Sequence, residues 1–94
     1  MLRHVVLFTI RPTSSVAQII TYLQQLQSIP TVVDFAIYQT NGDADILLQA
    51  DFNNATDLNI YLNHPIYQDT TAKVKPLRLT RTCIDFQILQ SINT

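Results

Sequence analysis

Hydrophobic and β-branched side chains crowd the first segment, Leu2 to Ile10 (LRHVVLFTI), and Arg11-Pro12 closes it. Proline has no amide to donate and suits a strand end better than a helix interior, so the segment predicts a strand. The spacing then changes. Val16, Ile19, Ile20, Leu23 and Leu26 recur at the interval of one helical face, and Ser15 with Gln18 makes a capping-box pattern. A helix is expected from Ser15 to a stop before Pro30. Thr31 to Gln39 and Ile46 to Phe52 then alternate with period two, with Val33, Phe35 and Ile37 in phase in the first and Ile46, Leu48, Ala50 and Phe52 in the second. Both predict strands. Asn41-Gly42 between them predicts a turn that makes them antiparallel neighbours, because Gly tolerates positive φ and Asn visits that region more readily than most residues.

Asn53-Asn54 offers an N-cap to a second helix in which Ala55, Leu58, Tyr61 and Leu62 share a face, with Asp57 in the first turn where negative charge suits the helix dipole. His64-Pro65 is expected to end or kink it, and Ile66 to Lys75 to resume as helix with Tyr67, Thr71 and Val74 on one face. Leu77 to Ile88 predicts the last strand. Its Leu77 and Leu79 are out of phase with Ile84, Phe86 and Ile88, which calls for a bulge between them or for cover on both faces. Strand, helix, strand, strand, helix, strand is the order of an α+β, ferredoxin-like βαββαβ fold with an antiparallel four-stranded sheet.

Two helices cover only one face of such a sheet, and a second face left to water should show polar alternation. Instead Val5 and Leu7 oppose Val6, Phe8 and Ile10 in the first strand, and Val33, Phe35 and Ile37 oppose Val32, Ala36 and Tyr38 in the next. Both faces therefore call for burial. A second copy of the same sheet across a two-fold axis is the simplest cover, so the expected partner is the chain itself, as a homodimer through the sheet face.

Length and composition narrow the rest. A chain of 94 residues supports one domain, residues 1–94. At 47% hydrophobic and 14% charged it is too apolar for disorder, yet it lacks the run of about 18 apolar residues that a membrane span requires. It reads as a soluble globular protein with no membrane partner. A net charge of -1 removes the main driving force for binding nucleic acid. Lys73, Lys75, Arg78 and Arg81 nevertheless fall in one short segment, either as a solvated helix end and strand edge or as a contact for an anionic ligand or partner. Cys83 is the sole cysteine, and no cleavage-site pattern follows the apolar start, so a cytoplasmic location is expected.

His4 is the most informative candidate for chemistry, because an imidazole can take a proton or bond a ligand near neutral pH. Its other reading is a satisfied core histidine. Tyr61 and Tyr67 could each donate a phenolic hydrogen bond to a carbonyl or enolate oxygen, or simply pack in the core. They lie six residues apart across the Pro65 break and need not share a face. His64 is expected to fix the turn before Pro65 through a local hydrogen bond. No metal site or cofactor is expected, since two histidines and one cysteine at distant positions lack zinc-site spacing and a single glycine excludes a glycine-rich phosphate loop. Cys83 reads as a small mid-strand filler rather than a nucleophile.

Arg3-His4-Val5-Val6-Leu7-Phe8, Tyr61-Leu62-Asn63-His64-Pro65-Ile66-Tyr67-Gln68 and Lys73-Val74-Lys75-Pro76-Leu77 together resemble the Dabb, or stress-responsive α/β-barrel, family over nearly the whole chain. The resemblance implies a ferredoxin-like protomer whose sheet pairs with its twin into a dimeric α/β barrel. It also implies several possible functions, because the family includes stress-induced proteins, plant polyketide cyclases and many members of unassigned activity, some binding magnesium through main-chain carbonyls. Against the cyclase pattern His4 and Tyr61 match, whereas Ile46 replaces a strand-three histidine and Tyr67 replaces the histidine that shuttles protons. Three readings stay open. The first is a protein that binds a small apolar or aromatic molecule at His4, Tyr61 and Tyr67. The second is a cofactor-independent enzyme, cyclase-, isomerase- or monooxygenase-like, with His4 as the best catalytic candidate. The third is a structural stress-tolerance protein without a ligand.

Overall fold

The computed structural model describes residues 1–89. β1 (Leu2–Ile10) leads through α1 (Val16–Leu23) to β2 (Asp34–Gln39) and β3 (Ile46–Phe52), then α2 (Ala55–Leu62), α3 (Pro65–Val74) and β4 (Arg78–Gln87). The sheet has the order β2-β3-β1-β4 with every pairing antiparallel, so the expected ferredoxin-like βαββαβ arrangement is present with its second helix broken in two.

Local chemistry sets most boundaries. The Ser15 hydroxyl accepts from the Gln18 amide at 3.3 Å and starts α1, but the Gln18 side chain donates to the Tyr22 hydroxyl instead of reaching back, so only one arm of the capping box forms. The helix expected to run to Pro30 ends earlier. It tightens into a 3-10 turn at Gln24–Ser28, which buries Leu26 and delivers Ile29 into the core just before Pro30. β2 likewise begins at Asp34 rather than Thr31, because the Val32 amide bonds back to the Ile29 carbonyl. The link to β3 turns through Gly42 at φ +99°, the only positive φ among the described residues. Asn54 caps α2 by accepting from the Asp57 amide at 2.9 Å, and His64 caps α3 by accepting from the Ile66 amide at its Nδ1 at 3.1 Å. Pro65 follows at the first helical position, where a missing amide costs nothing.

The two faces of the sheet differ. Leu2, His4, Val6 and Phe8 of β1 and Ile46, Leu48, Ala50 and Phe52 of β3 lie buried beneath the helices, with Ile19, Leu23, Leu26, Ile29, Leu58, Tyr61 and Val74 above them. Val5, Leu7, Ala36, Tyr38, Leu47, Ile84 and Phe86 occupy the opposite face, with Ile84 60% exposed. That face also carries the Arg3–Asp51 ion pair, a two-bonded contact at 2.8 and 3.0 Å between directly paired positions of β1 and β3.

The phase conflict in the last strand resolves as a bulge. Thr9 pairs with Thr80 but Ile10 pairs with Arg78, leaving Leu79 as an extra residue in β4. Arg78 is thereby turned to the helix side, while Ile84 and Phe86 lie on the open face and Arg81, Cys83 and Asp85 on the helix side.

Leu48, 1% exposed in the strand between β2 and β1, should lose about 2 to 5 kcal/mol of stability on truncation to alanine. Asn54→Ala should lose about 1 kcal/mol through the missing cap. Urea denaturation checks both, and a Leu48→Ala loss smaller than that of Asn54→Ala would contradict this core.

Candidate functional site

A cavity of about 420 Å³ opens where the helix layer meets β1 and β4. Val6, Phe8, Leu23, Leu26, Leu48 and Val74 make its apolar walls, and His4, Tyr61, Tyr67, Gln68, Thr71, Lys75, Arg78 and Arg81 add its polar groups. All three predicted site residues, His4, Tyr61 and Tyr67, therefore border one space. His64 does not border it, and its role is the helix cap.

His4 sits at a buried β1 position, 2% exposed, because the even positions of β1 face the helices. Its cross-strand neighbour on β4 is Asp85, and Nδ1 lies 2.5 Å from Asp85 Oδ1. An ionised carboxylate can only accept, so this contact puts a proton on Nδ1, and in the neutral ring Nε2 is then the atom with the free lone pair. Nε2 is buried and has no hydrogen-bond partner in the protein among the described residues. Cys83 lies two residues from Asp85 on the same face, its Sγ 3.4 Å from His4 Nδ1 and 3.7 Å from Asp85 Oδ1.

Cys83 is thus not the apolar filler expected. It is exposed, and its thiol donates to the same carboxylate oxygen that His4 uses. Partial burial of the sulfur against the sheet raises its pKa first and the Asp85 charge adds to this, with Arg81 pulling the other way, so the thiol stays protonated and is a poor nucleophile. The expectation that spacing excludes a metal site overlooked one juxtaposition. Potential ligand atoms of His4, Cys83 and Asp85 lie within 4.8 Å of one another, although they are distant in sequence.

Tyr61 and Tyr67 meet despite the proline break. Their rings are 5.1 Å apart, and Tyr61 also packs edge-on against Phe52 at 4.9 Å and His4 at 6.0 Å. Breaking the helix at His64 redirects the chain so that Tyr67 of α3 returns over Tyr61 of α2. Burial pushes the Tyr61 phenol well above its ordinary range, with Tyr67 adding to this and Arg81 opposing it. Tyr61 is therefore a neutral hydrogen-bond donor at physiological pH. Tyr67 is half-buried, and its hydroxyl accepts from Arg81 Nη2 at 3.5 Å, a long contact that sets the guanidinium beside the cavity mouth. Ile46, where the cyclase pattern has a histidine, is wholly buried in the core and absent from the cavity wall.

The family model described as Stress responsive A/B Barrel Domain matches residues 2–88. A dimeric ferredoxin-like protein of unknown function from Thermobifida fusca is 26% identical, with a TM-score of 0.82, covering 93% of this chain and 90% of that one. A Dabb family protein with a ferredoxin-like fold from Mesorhizobium loti is 21% identical, with a TM-score of 0.80 and coverage of 95% and 97%. A cofactor-independent oxygenase from Streptomyces nogalater shares the fold at 14% identity, with a TM-score of 0.81 and coverage of 99% and 97%. No curated protein matches the sequence.

The pairing of His4 with Asp85 makes a spectroscopic prediction. Long-range ¹H–¹⁵N correlation spectra should show the neutral His4 ring protonated at Nδ1, and Asp85→Asn should weaken that preference. A ring protonated at Nε2 in the wild type would contradict the assignment.

Proposed function

The chain belongs to the stress responsive A/B barrel (Dabb) family, and we propose from that premise that it is a homodimeric small-molecule-binding protein. Its ligand is an apolar or aromatic molecule carrying a hydroxyl or enol group, held between sheet and helices against His4, Tyr61 and Tyr67. One observation carries this reading: the unpartnered, buried Nε2 of a histidine on the wall of a cavity. Leaving a buried acceptor unpaired costs about 1 to 3 kcal/mol; Nε2 is closed to water in this structure, so a ligand hydroxyl offsets that cost once the His4 ring or its cover shifts to admit it. The volume lies within the roughly 300 to 1,000 Å³ of small-molecule sites, and its apolar walls suit the ligand body.

The dimer reading is supported by the apolar open face and by the description of the Thermobifida fusca protein as dimeric. Packing that face against its twin would give a two-sheet α/β barrel and cover Ile84, Phe86 and Tyr38. Residues 1–94 act as one domain. Cys83, the sole cysteine, has no intrachain disulfide partner, which suits the cytoplasm, and among the described residues no helix is long and apolar enough to cross a membrane.

A second reading, a cofactor-independent enzyme, is favoured by the His4–Asp85 contact. A carboxylate on Nδ1 holds the neutral ring in the tautomer whose Nε2 can accept a proton. A binding protein tolerates loss of that basicity, whereas an enzyme does not.

Two measurements test the proposal. In sedimentation equilibrium the wild type should have twice the 10.7 kDa chain mass, and Ile84→Asp, which places a charge on the open face, should sediment as a single chain. A monomeric wild type would count against the dimer. Titration with 2-naphthol, a neutral aromatic alcohol, should move NMR signals around His4, Tyr61 and Tyr67, and Ala72→Trp at the cavity wall should suppress the response. Shifts confined to the open face of the sheet would remove the cavity from consideration.

A further inference from the structure

Three cations border this cavity, and the nearest carboxylate on their face of β4, Asp85, is bonded to His4 and Cys83. Lys75 at the C-terminal end of α3 and Arg78 and Arg81 on β4 all border it. None forms a salt bridge among the described residues, where the ion pairs are Arg3–Asp51 and Lys73–Asp69 and Asp85 is hydrogen-bonded to His4. The protein as a whole carries a net charge of -1, so this concentration does not reflect a generally basic surface.

The bulge in β4 bears directly on it. Without the extra residue, Arg78 would stay in phase with Thr80 and Thr82 on the open face. With it, Arg78 pairs with Ile10 on the helix side and joins Arg81, which pairs with Phe8. A charge that serves only to wet an edge has no need of a particular face, whereas two guanidinium groups brought to one cavity by a break in the ladder do have a shared direction. The Tyr67 hydroxyl accepts a long contact from Arg81 Nη2 at 3.5 Å, which sets that guanidinium beside the mouth.

We propose that the ligand of this cavity is an anionic amphiphile, an apolar or aromatic body ending in a carboxylate or phosphate held by Arg78 and Arg81, with Lys75 adding charge at the rim. This rests on the cavity being the binding site and adds the class of molecule it selects. Guanidinium groups present planar forks of donors that match both kinds of oxyanion, and their bonds to such groups are charge-assisted and strong. The body then lies over Val6, Leu26 and Leu48, with its inner end toward His4.

The test compares three probes of one ring system, 2-naphthoate, 2-naphthyl phosphate and the neutral 2-naphthamide, by calorimetric titration of wild type, Arg78→Gln and Arg81→Gln. At least one anion should bind about tenfold or more tightly than the amide, and that advantage should fall below about threefold in either arginine variant while amide affinity holds. The tighter anion identifies the head group. Equal affinity for all three probes in the wild type, or an anion advantage that survives both substitutions, would overturn the anionic ligand and leave the cavity reading standing. Failure of every probe to bind the wild type would remove the cavity reading, and this inference with it.

Discussion

β1 is hydrogen-bonded on both sides, to β3 and to β4, so its alternation is transmitted to most of the sheet. Its even positions face the helices and its odd positions face away. A slip of one residue would exchange Val6 and Phe8 for Val5 and Leu7, carry His4 to the open face and bury Arg3 under the helices. The Arg3–Asp51 pair opposes that slip from the other side, because Asp51 is only 5% exposed and its charge is matched in the observed register. Placement of His4, separation of the two faces and position of the cavity all follow from one register.

The helix layer covers the sheet unevenly. β1 and β3 present closed rows to it, apolar but for His4, whereas β4 stays exposed along nearly its whole length. The cavity lies where that cover thins, with α3 on one side and the polar row of β4 on the other. This explains its mixed character. Its walls near β1 and β3 are ordinary core, and its rim is the face of an edge strand where Arg81 and Asp85 can remain solvated. His4 stands on the boundary, with Nδ1 turned to the polar edge and Nε2 to the apolar interior.

Much of this was legible from local patterns, because the relevant forces act between near neighbours. The bounds of β3, the caps at Ser15 and Asn54, and the local role of His64 each depend on residues within a few positions. The 3-10 turn after Leu23 was not legible, since Leu26 and Ile29 suit either a helical or a tighter path, and tertiary packing chooses. The phase of Leu77 and Leu79 against Ile84 and Phe86 leaves a bulge in β4 as one of two alternatives, which only pairing with β1 separates. Residue spacing does not single out Asp85. It lies 81 residues from His4, and its partnership depends on a strand register that no local period encodes. A weak signal was available: a carboxylate between Ile84 and Phe86 should point away from the apolar row. Proximity of Tyr61 to Tyr67 was likewise hidden, because the geometry of a helix break is not written in residue spacing.

Edge protection alone would explain charges on β4, since an exposed edge strand with unpaired backbone groups invites pairing with another chain and charged side chains discourage it. That explanation accounts for the presence of Arg78, Arg81 and Asp85 but not for their side of the sheet. The open-face row of the same strand is Thr80, Thr82, Ile84 and Phe86, which contains no charge at all. Edge protection would be served by either row. Burial of an apolar surface by a second sheet requires a row free of charge on one side, and a solvated cavity rim tolerates charges only on the other. β4 meets both requirements at once, and its bulge moves the one basic residue that would otherwise break the pattern.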